Sequence, residues 1–272
     1  MVFEQFLESD KIKKHILNIF LLGIFYVIVG AIVSFIFFKD AISVAMLFTT
    51  TLLLVPSMYI ILNIEEKIES RQGIKHFFHN HKDIFKVALF LFLGVFIAFL
   101  VLGFLKLPVF DYQLGFLEAR GDLTGEVISE FAAEEYSPDM SKVVALISQN
   151  LFVVVIAFIL SLFYGAGAFF LIVLNASVFA AFIVTVIDKI GNALSMVGLF
   201  LIHLVPEIAG FLVAAIAGGV ISRAIIREKF GSAGFKNVMM DALMLLLISA
   251  GLIIIAAFLE VFVSGRFVKA IL

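Results

Sequence analysis

The sequence predicts an all-α fold: a polytopic transmembrane helical bundle of about seven spans, with a short interfacial or re-entrant helix near residues 192–203. Three observations carry that prediction. The 272-residue chain is 63% hydrophobic with a mean hydropathy of +1.20, whereas a soluble chain is nearer half apolar. Several of its apolar runs reach the ~20 residues that a helix needs to cross hydrocarbon. Those runs are too long and too uniformly apolar for barrel strands, and lipid cannot satisfy open backbone groups, so closed helices are the solution. There is no cysteine, which excludes disulfides and thiolate chemistry. The first apolar run exceeds a signal-peptide core and no small-residue cleavage site follows it, so the first span is expected to serve as the insertion signal.

Residues 1–105 read as a three-span region. Ser9 can cap a helix entering the membrane. The first span covers roughly 17–38, and Lys39 and Asp40 make a minimal turn. The second covers roughly 41–62, with Pro56 kinking it. The charged run from Ile64 continues that helix beyond the bilayer until Gly73 stops it. His76, His79 and His81 follow at a spacing that permits a metal site. No further ligand set accompanies them, and they read as part of a solvated loop, 63–86. Asn80 caps a third span over roughly 86–105.

Residues 106–142 form an acidic loop, in which Asp111, Glu118, Asp122, Glu126, Glu130, Glu134, Glu135 and Asp139 face only Lys106, Arg120 and Lys142. Leu123, Val127, Ile128 and Phe131 recur at helical spacing, predicting a short amphipathic helix over 123–135. It lies on the membrane, meets a partner or packs on its own bundle.

Residues 143–272 read as a four-span region. Ser137 and Pro138 open a helix, and the apolar run that follows, to Ile187, is too long for one span. Gly165-Ala-Gly-Ala divides it into spans over 143–164 and 166–187. Residues 192–203 are too short to cross, the sixth span starts at Pro206, and the seventh covers roughly 238–263. Orientation follows from the basic residues. Lys11, Lys13 and Lys14, then Lys67, Arg71, Lys75, Lys82 and Lys86, then Arg223, Arg227, Lys229 and Lys236 make twelve of the 19 Lys and Arg. If all lie on one side, that side is cytoplasmic. The N-terminus is then inside, and the acidic loop and C-terminus are outside.

Ionisable groups inside hydrocarbon cost several kcal/mol, about 2.5–3.5 at a helix centre, so each needs a reason. At the expected depths, Asn150, Asn175, His203, Glu207 and Glu260 can face one intramembrane polar centre. His203 and Glu207 have i, i+4 spacing, but the residue before Pro206 is biased away from helix. Glu207 is then expected in the first turn of the sixth helix, where the dipole favours a carboxylate. Three readings stay open for this centre: a structural pair across a helix break, an ion or proton path, and a metal site of His203, Glu207 and Glu260. Gly210, Ala214, Gly218 and Ser222 recur every four residues, a stripe that lets another helix approach closely. No G-x-S-x-G, Walker lysine loop or H-E-x-x-H is present, and no enzyme activity and no cofactor are expected. The 33 phenylalanines are lipid-facing and core bulk.

The C-terminal half resembles the stage II sporulation protein M family over about residues 143–265. The resemblance rests on Gln149-Asn150 heading a span that ends in Tyr164-Gly-Ala-Gly, with Asn175 on the following helix. It rests also on His203-Leu-Val-Pro-Glu207 and on Ala256-Ala-Phe-Leu-Glu260-Val-Phe-Val. His203, Glu207, Asn150 and Glu260 match the family pattern residue by residue. Leu204 stands where the family has glycine, and one asparagine, not two, heads the fourth span. The resemblance implies a polytopic membrane protein without established catalytic activity. In spore-forming bacteria the namesake looks like a scaffold that positions peptidoglycan-degrading partners at the engulfing membrane, which the resemblance implies as a role. The expected partners are the lipid bilayer and either further copies of the chain or other membrane and envelope proteins. No nucleic acid is expected.

Overall fold

The structure is a computed structural model that describes residues 16–73, 77–120, 138–164, 167–190 and 193–264. All regular structure among the described residues is helical. In chain order the helices are α1 (Ile16–Phe37), α2 (Ile42–Gln72), α3 (Phe77–Phe104), α4 (Asp111–Arg120), α5 (Met140–Tyr164), α6 (Gly167–Ile190), α7 (Ala193–Arg227) and α8 (Ala233–Leu259). A π turn, Glu260–Ser264, continues α8. Six helices are long and apolar enough to cross a membrane: α1, α3, α5, α6, α7, and α8 with its π turn. α2 bends by 48° between Ser57 and Tyr59, and its two arms together make a seventh candidate. Pro56 lies just before the bend, and the hydrogen bond its ring removes accounts for it.

Each helix sorts its side chains by face. On α1, Leu17, Leu21, Phe25, Ile28 and Ile32 are exposed, while Ile19, Gly23, Tyr26, Val27, Gly30 and Ala31 are buried. Both sets are apolar, so the contrast is between lipid-facing bulk and small, close-packing residues, as expected where lipid is the solvent. α6 is the central helix, with 72% of its apolar stretch buried against 22% for α5. One core runs from Ile19 on α1 to Leu245 on α8 and joins both halves of the chain.

Glycines fix the closest crossings. A Cβ at Gly94 on α3 would run into the Phe20 carbonyl oxygen of α1, and one at Gly23 would lie 2.9 Å from the Leu91 carbonyl oxygen. Three hydroxyls inside the bundle bond back to their own helices: Thr51 to the Leu47 carbonyl at 2.7 Å, Ser161 to Ala157 at 2.7 Å and Thr185 to Ala181 at 2.8 Å. Tyr26 and Ser57 share a hydrogen bond of 3.0 Å between α1 and α2. No water is needed at these positions.

The structure differs from the sequence reading at three places. The separate short helix at 192–203 and the start at Pro206 are replaced by one helix, α7, which carries Pro206 in its interior. A break there would leave several backbone groups open in lipid, whereas a proline in a continuous helix removes one hydrogen bond. The polar segment after α3 opens with α4, which closes one end of the bundle. Gln113 is fully buried and donates to the Ser177 hydroxyl at 3.1 Å, and the Tyr112 amide donates to the Ser43 hydroxyl at 3.0 Å. The amphipathic helix expected over 123–135 lies outside the described residues. The third difference concerns His81 and belongs to the site below.

The segments 63–73, with Lys67 and Arg71, and 227–237, with Arg227, Lys229 and Lys236, share one end of the bundle. Arg227 reaches the Asn63 side-chain oxygen at 3.4 Å, and Asn237 donates to the Ser70 carbonyl at 3.1 Å. Gly73 stops α2 there with a positive φ of 55°, its amide donating to the Glu69 carbonyl at 2.8 Å.

Replacing Gly94 by valine is predicted to destabilise the protein by ~1–3 kcal/mol through overpacking, because backbone and not a flexible side chain blocks the new atoms. The thermal midpoint in detergent, followed by size-exclusion, checks this. An unchanged midpoint would contradict the α1–α3 crossing.

Candidate functional site

α7 places His203 and Glu207 one turn apart, on the same side of one helix. Both are buried, 5% and 7% exposed. The Nδ1 of His203 and the Ser264 hydroxyl lie 2.9 Å apart, joining α7 to the π turn. The Phe200 ring stands edge-on to the imidazole at 5.8 Å, and Phe182 stands edge-on to Phe200 at 5.0 Å. Glu260 begins the π turn and is partly buried; its amide is shared between the Ala256 and Ala257 carbonyls. π turns of this kind are rare and concentrate at functional sites. Asn150 on α5 is 2% exposed, and Asn175 on α6 is half-buried. Asn150, Glu207 and Glu260 each interact with neighbours. The structure therefore joins His203 directly to the turn that holds Glu260.

The stripe on α7 faces inward. Gly210, Ala214, Gly218 and Ser222 are all buried. A Cβ at Gly210 would lie 3.0 Å from Ile253 of α8, and Ser249 of α8 donates to the Gly210 carbonyl at 2.8 Å. Gly218 faces α5 instead, where a Cβ would lie 2.5 Å from the Ser161 Cβ and 2.8 Å from the Phe158 carbonyl oxygen. The stripe seats two helices of the same chain.

A second polar cluster lies at the end of the bundle that carries Gly73. Glu65 and Glu69 are one turn apart on the outer arm of α2, 4% and 0% exposed. His81 sits in the second turn of α3 and is fully buried. This corrects the solvated-loop reading of the histidines: His79 is exposed, His81 is core, and His76 lies outside the described residues. The imidazole Nδ1 is 2.7 Å from the Phe77 carbonyl oxygen, so Nδ1 carries a proton and donates it. Nε2 then points at the carboxylates, 3.0 Å from Glu69 Oε1 and 3.8 Å from Glu65 Oε1. The Phe77 ring covers the imidazole at 4.4 Å. Among the described residues this is the one group of three whose ligand-type atoms lie within 4.8 Å of one another; His203, Glu207 and Glu260 do not form such a group. The sequence signal was an acidic pair at i, i+4 with a histidine beyond a glycine turn. It was hidden because the run from Ile64 to Gln72 reads as solvated throughout, and which face is buried depends on α3 and α8.

Two outcomes follow. His203→Ala and Ser264→Ala are each expected to lower the thermal midpoint, with a double-mutant coupling of ~0.5–1.5 kcal/mol for one buried hydrogen bond; additive effects would show that the contact contributes nothing. His81→Ala is expected to cost ~3–5 kcal/mol, the penalty of leaving a buried carboxylate without its partner; a loss under ~1 kcal/mol would put His81 at the surface.

Residues 86–265 match the family described as Stage II sporulation protein M, which is more than half of the chain. No curated protein and no solved structure matches.

Proposed function

Since the chain belongs to the stage II sporulation protein M family, we propose that this multi-pass membrane protein is a non-enzymatic scaffold for membrane or envelope partners. The observation that carries this reading is the burial of the His203 centre in the packing. His203 bonds to Ser264 of the same chain, and Asn150, Glu207 and Ser264 are buried among apolar helices. Such an arrangement spends its polar groups on joining α7 to the end of α8. The acid-rich segment 106–142, opening with α4, supplies the contact surface for partners. The end that carries Lys67, Arg71, Arg227, Lys229 and Lys236 is cytoplasmic by the positive-inside rule, which counts Lys and Arg. The exposed apolar residues of α5, among them Val144, Phe152 and Val155, face lipid or further copies of the chain.

A transporter or channel is the second reading. It is favoured by the π turn at Glu260–Ser264, which carries an acid and, through Ser264, meets the buried His203 inside a candidate span. Reconstitution separates the two. The scaffold reading predicts that proteoliposomes carry no flux of protons, common metal ions or small anions above empty liposomes at any pH from ~5 to ~8, the range in which an ordinary histidine titrates. Flux that His203→Ala abolishes would replace the scaffold by the transporter.

A further inference from the structure

The cluster of Glu65, Glu69 and His81 has a buried acidic neighbour that the family match and the His203 centre leave unexplained. Asp241 on α8 is 0% exposed, and neither carboxylate oxygen has a hydrogen-bond partner among the described residues. Its direction follows from its neighbour one turn earlier. Asn237 donates to the Ser70 carbonyl at 3.1 Å, and its side chain lies 3.1 Å from where a Cβ at Gly73 would sit. Residues four apart share a helix face. One turn deeper than Asn237, Asp241 therefore looks onto the turn of α2 that carries Glu69. Its charge acts on His81, Glu65 and Glu69 alike.

Two buried carboxylates and one imidazole thus converge from α2 and α3, and a third buried carboxylate on α8 adds its charge to them. Glu65 Oε1 and Glu69 Oε2 are also without hydrogen-bond partners among the described residues. Arg227 pairs with Glu66 at 3.5 Å, on the same arm of α2, and is not part of the cluster's ion pairs. Buried charges persist only when paired or when they coordinate a metal. A single imidazole is too little countercharge for three carboxylates.

We propose that Glu65, Glu69 and His81 form a binding site for one divalent first-row metal ion, with the buried Asp241 carboxylate beside it adding negative charge. The tautomer is set for it: Nδ1–H is spent on the Phe77 carbonyl, which leaves Nε2 to face the carboxylates. The ligand-type atoms of Glu65, Glu69 and His81 lie within 4.8 Å of one another and match metal bonds of ~2.0–2.2 Å, whose opposed ligands stand roughly 4 Å apart. Carboxylate oxygens with one nitrogen suit Mn²⁺, Fe²⁺ or Zn²⁺, and a chain without cysteine offers no soft site for Cu⁺. On binding, the metal takes the Nε2 lone pair, and a proton held between Nε2 and Glu69 leaves to solvent. The ion ties α2 to α3. Glu65, Glu69 and His81 lie outside the family match, at 86–265, and Asp241 lies inside it. The site is thus independent of the scaffold reading.

The test uses the full chain in detergent, with no affinity tag, stripped with chelator and titrated separately with MnCl₂, CoCl₂ and ZnCl₂. One equivalent of at least one metal is expected to bind, with proton release and a raised thermal midpoint. Pulsed EPR of the Mn²⁺ form, or the ligand-field spectrum of the Co²⁺ form, is expected to report a single imidazole nitrogen. Asp241→Asn and Glu65→Gln are isosteric and are expected to weaken binding at least ~10-fold. Without metal they should be as stable as the parent or more so, since each relieves carboxylate crowding. If either variant fails to fold, the nitrogen count in the parent decides alone. A folded parent that binds none of the three ions at roughly 1 mM, binding undiminished in the folded variants, or a nitrogen count other than one would overturn the proposal.

Discussion

Hydrocarbon offers no hydrogen bonds, so every polar group that enters it must find its partner within the protein. The rest of the structure follows from that constraint. It makes every described element a helix. It sends Thr51, Ser161 and Thr185 back to their own backbones and pairs Tyr26 with Ser57 across α1 and α2. Without a hydrophobic drive between helices in lipid, cohesion comes from close packing. Gly23 and Gly94 let α1 and α3 touch backbone to backbone, and Gly210 and Gly218 do the same for α7 against α8 and α5. The two devices meet at Ser249, which bonds to the Gly210 carbonyl that the small stripe exposes.

The same constraint gives the two polar clusters different characters. At His203 the polar groups shown in contact are few, His203 of α7 and Ser264 of the π turn, with Phe200 edge-on to the imidazole and Phe182 edge-on to Phe200. At Glu65, Glu69, His81 and Asp241 the acids outnumber the bases, in the part of the molecule where α2 outruns its apolar stretch. The first cluster can be stable as a closed set of hydrogen bonds. The second has carboxylate oxygens to spare.

What was legible in the sequence was whatever depends on one helix at a time. The spans of α1, α3, α5 and α6 follow from length and apolar runs, and the stop at Gly73 and the bend near Pro56 follow from local backbone chemistry. What was not legible depends on neighbours. Pro206 reads as a helix start under rules learned in water, yet α7 runs through it because lipid penalises an open break more than one missing hydrogen bond. α4 is too short to announce itself, and it is held by neighbours: Gln113 on Ser177, Tyr112 on Ser43, and Leu117 in the core. His81 reads as solvated beside Lys82 and Asp83, because nothing local reveals that α2 presents Glu69 to it. For the candidate centre, His203 and Glu260 were marked by their chemistry, but the link between them is Ser264, an unremarkable residue in an apolar tail.

The central claim is that the His203 centre is sealed within the packing. A chain without cysteine makes this directly measurable. Ser264→Cys, at a position 2% exposed, is compared with Phe230→Cys, at a position 90% exposed, in opened membrane vesicles treated with a membrane-impermeant maleimide. The account predicts rapid labelling at 230 and none at 264 until the protein is denatured. Rapid labelling at 264 in folded protein would place water beside His203 and contradict it.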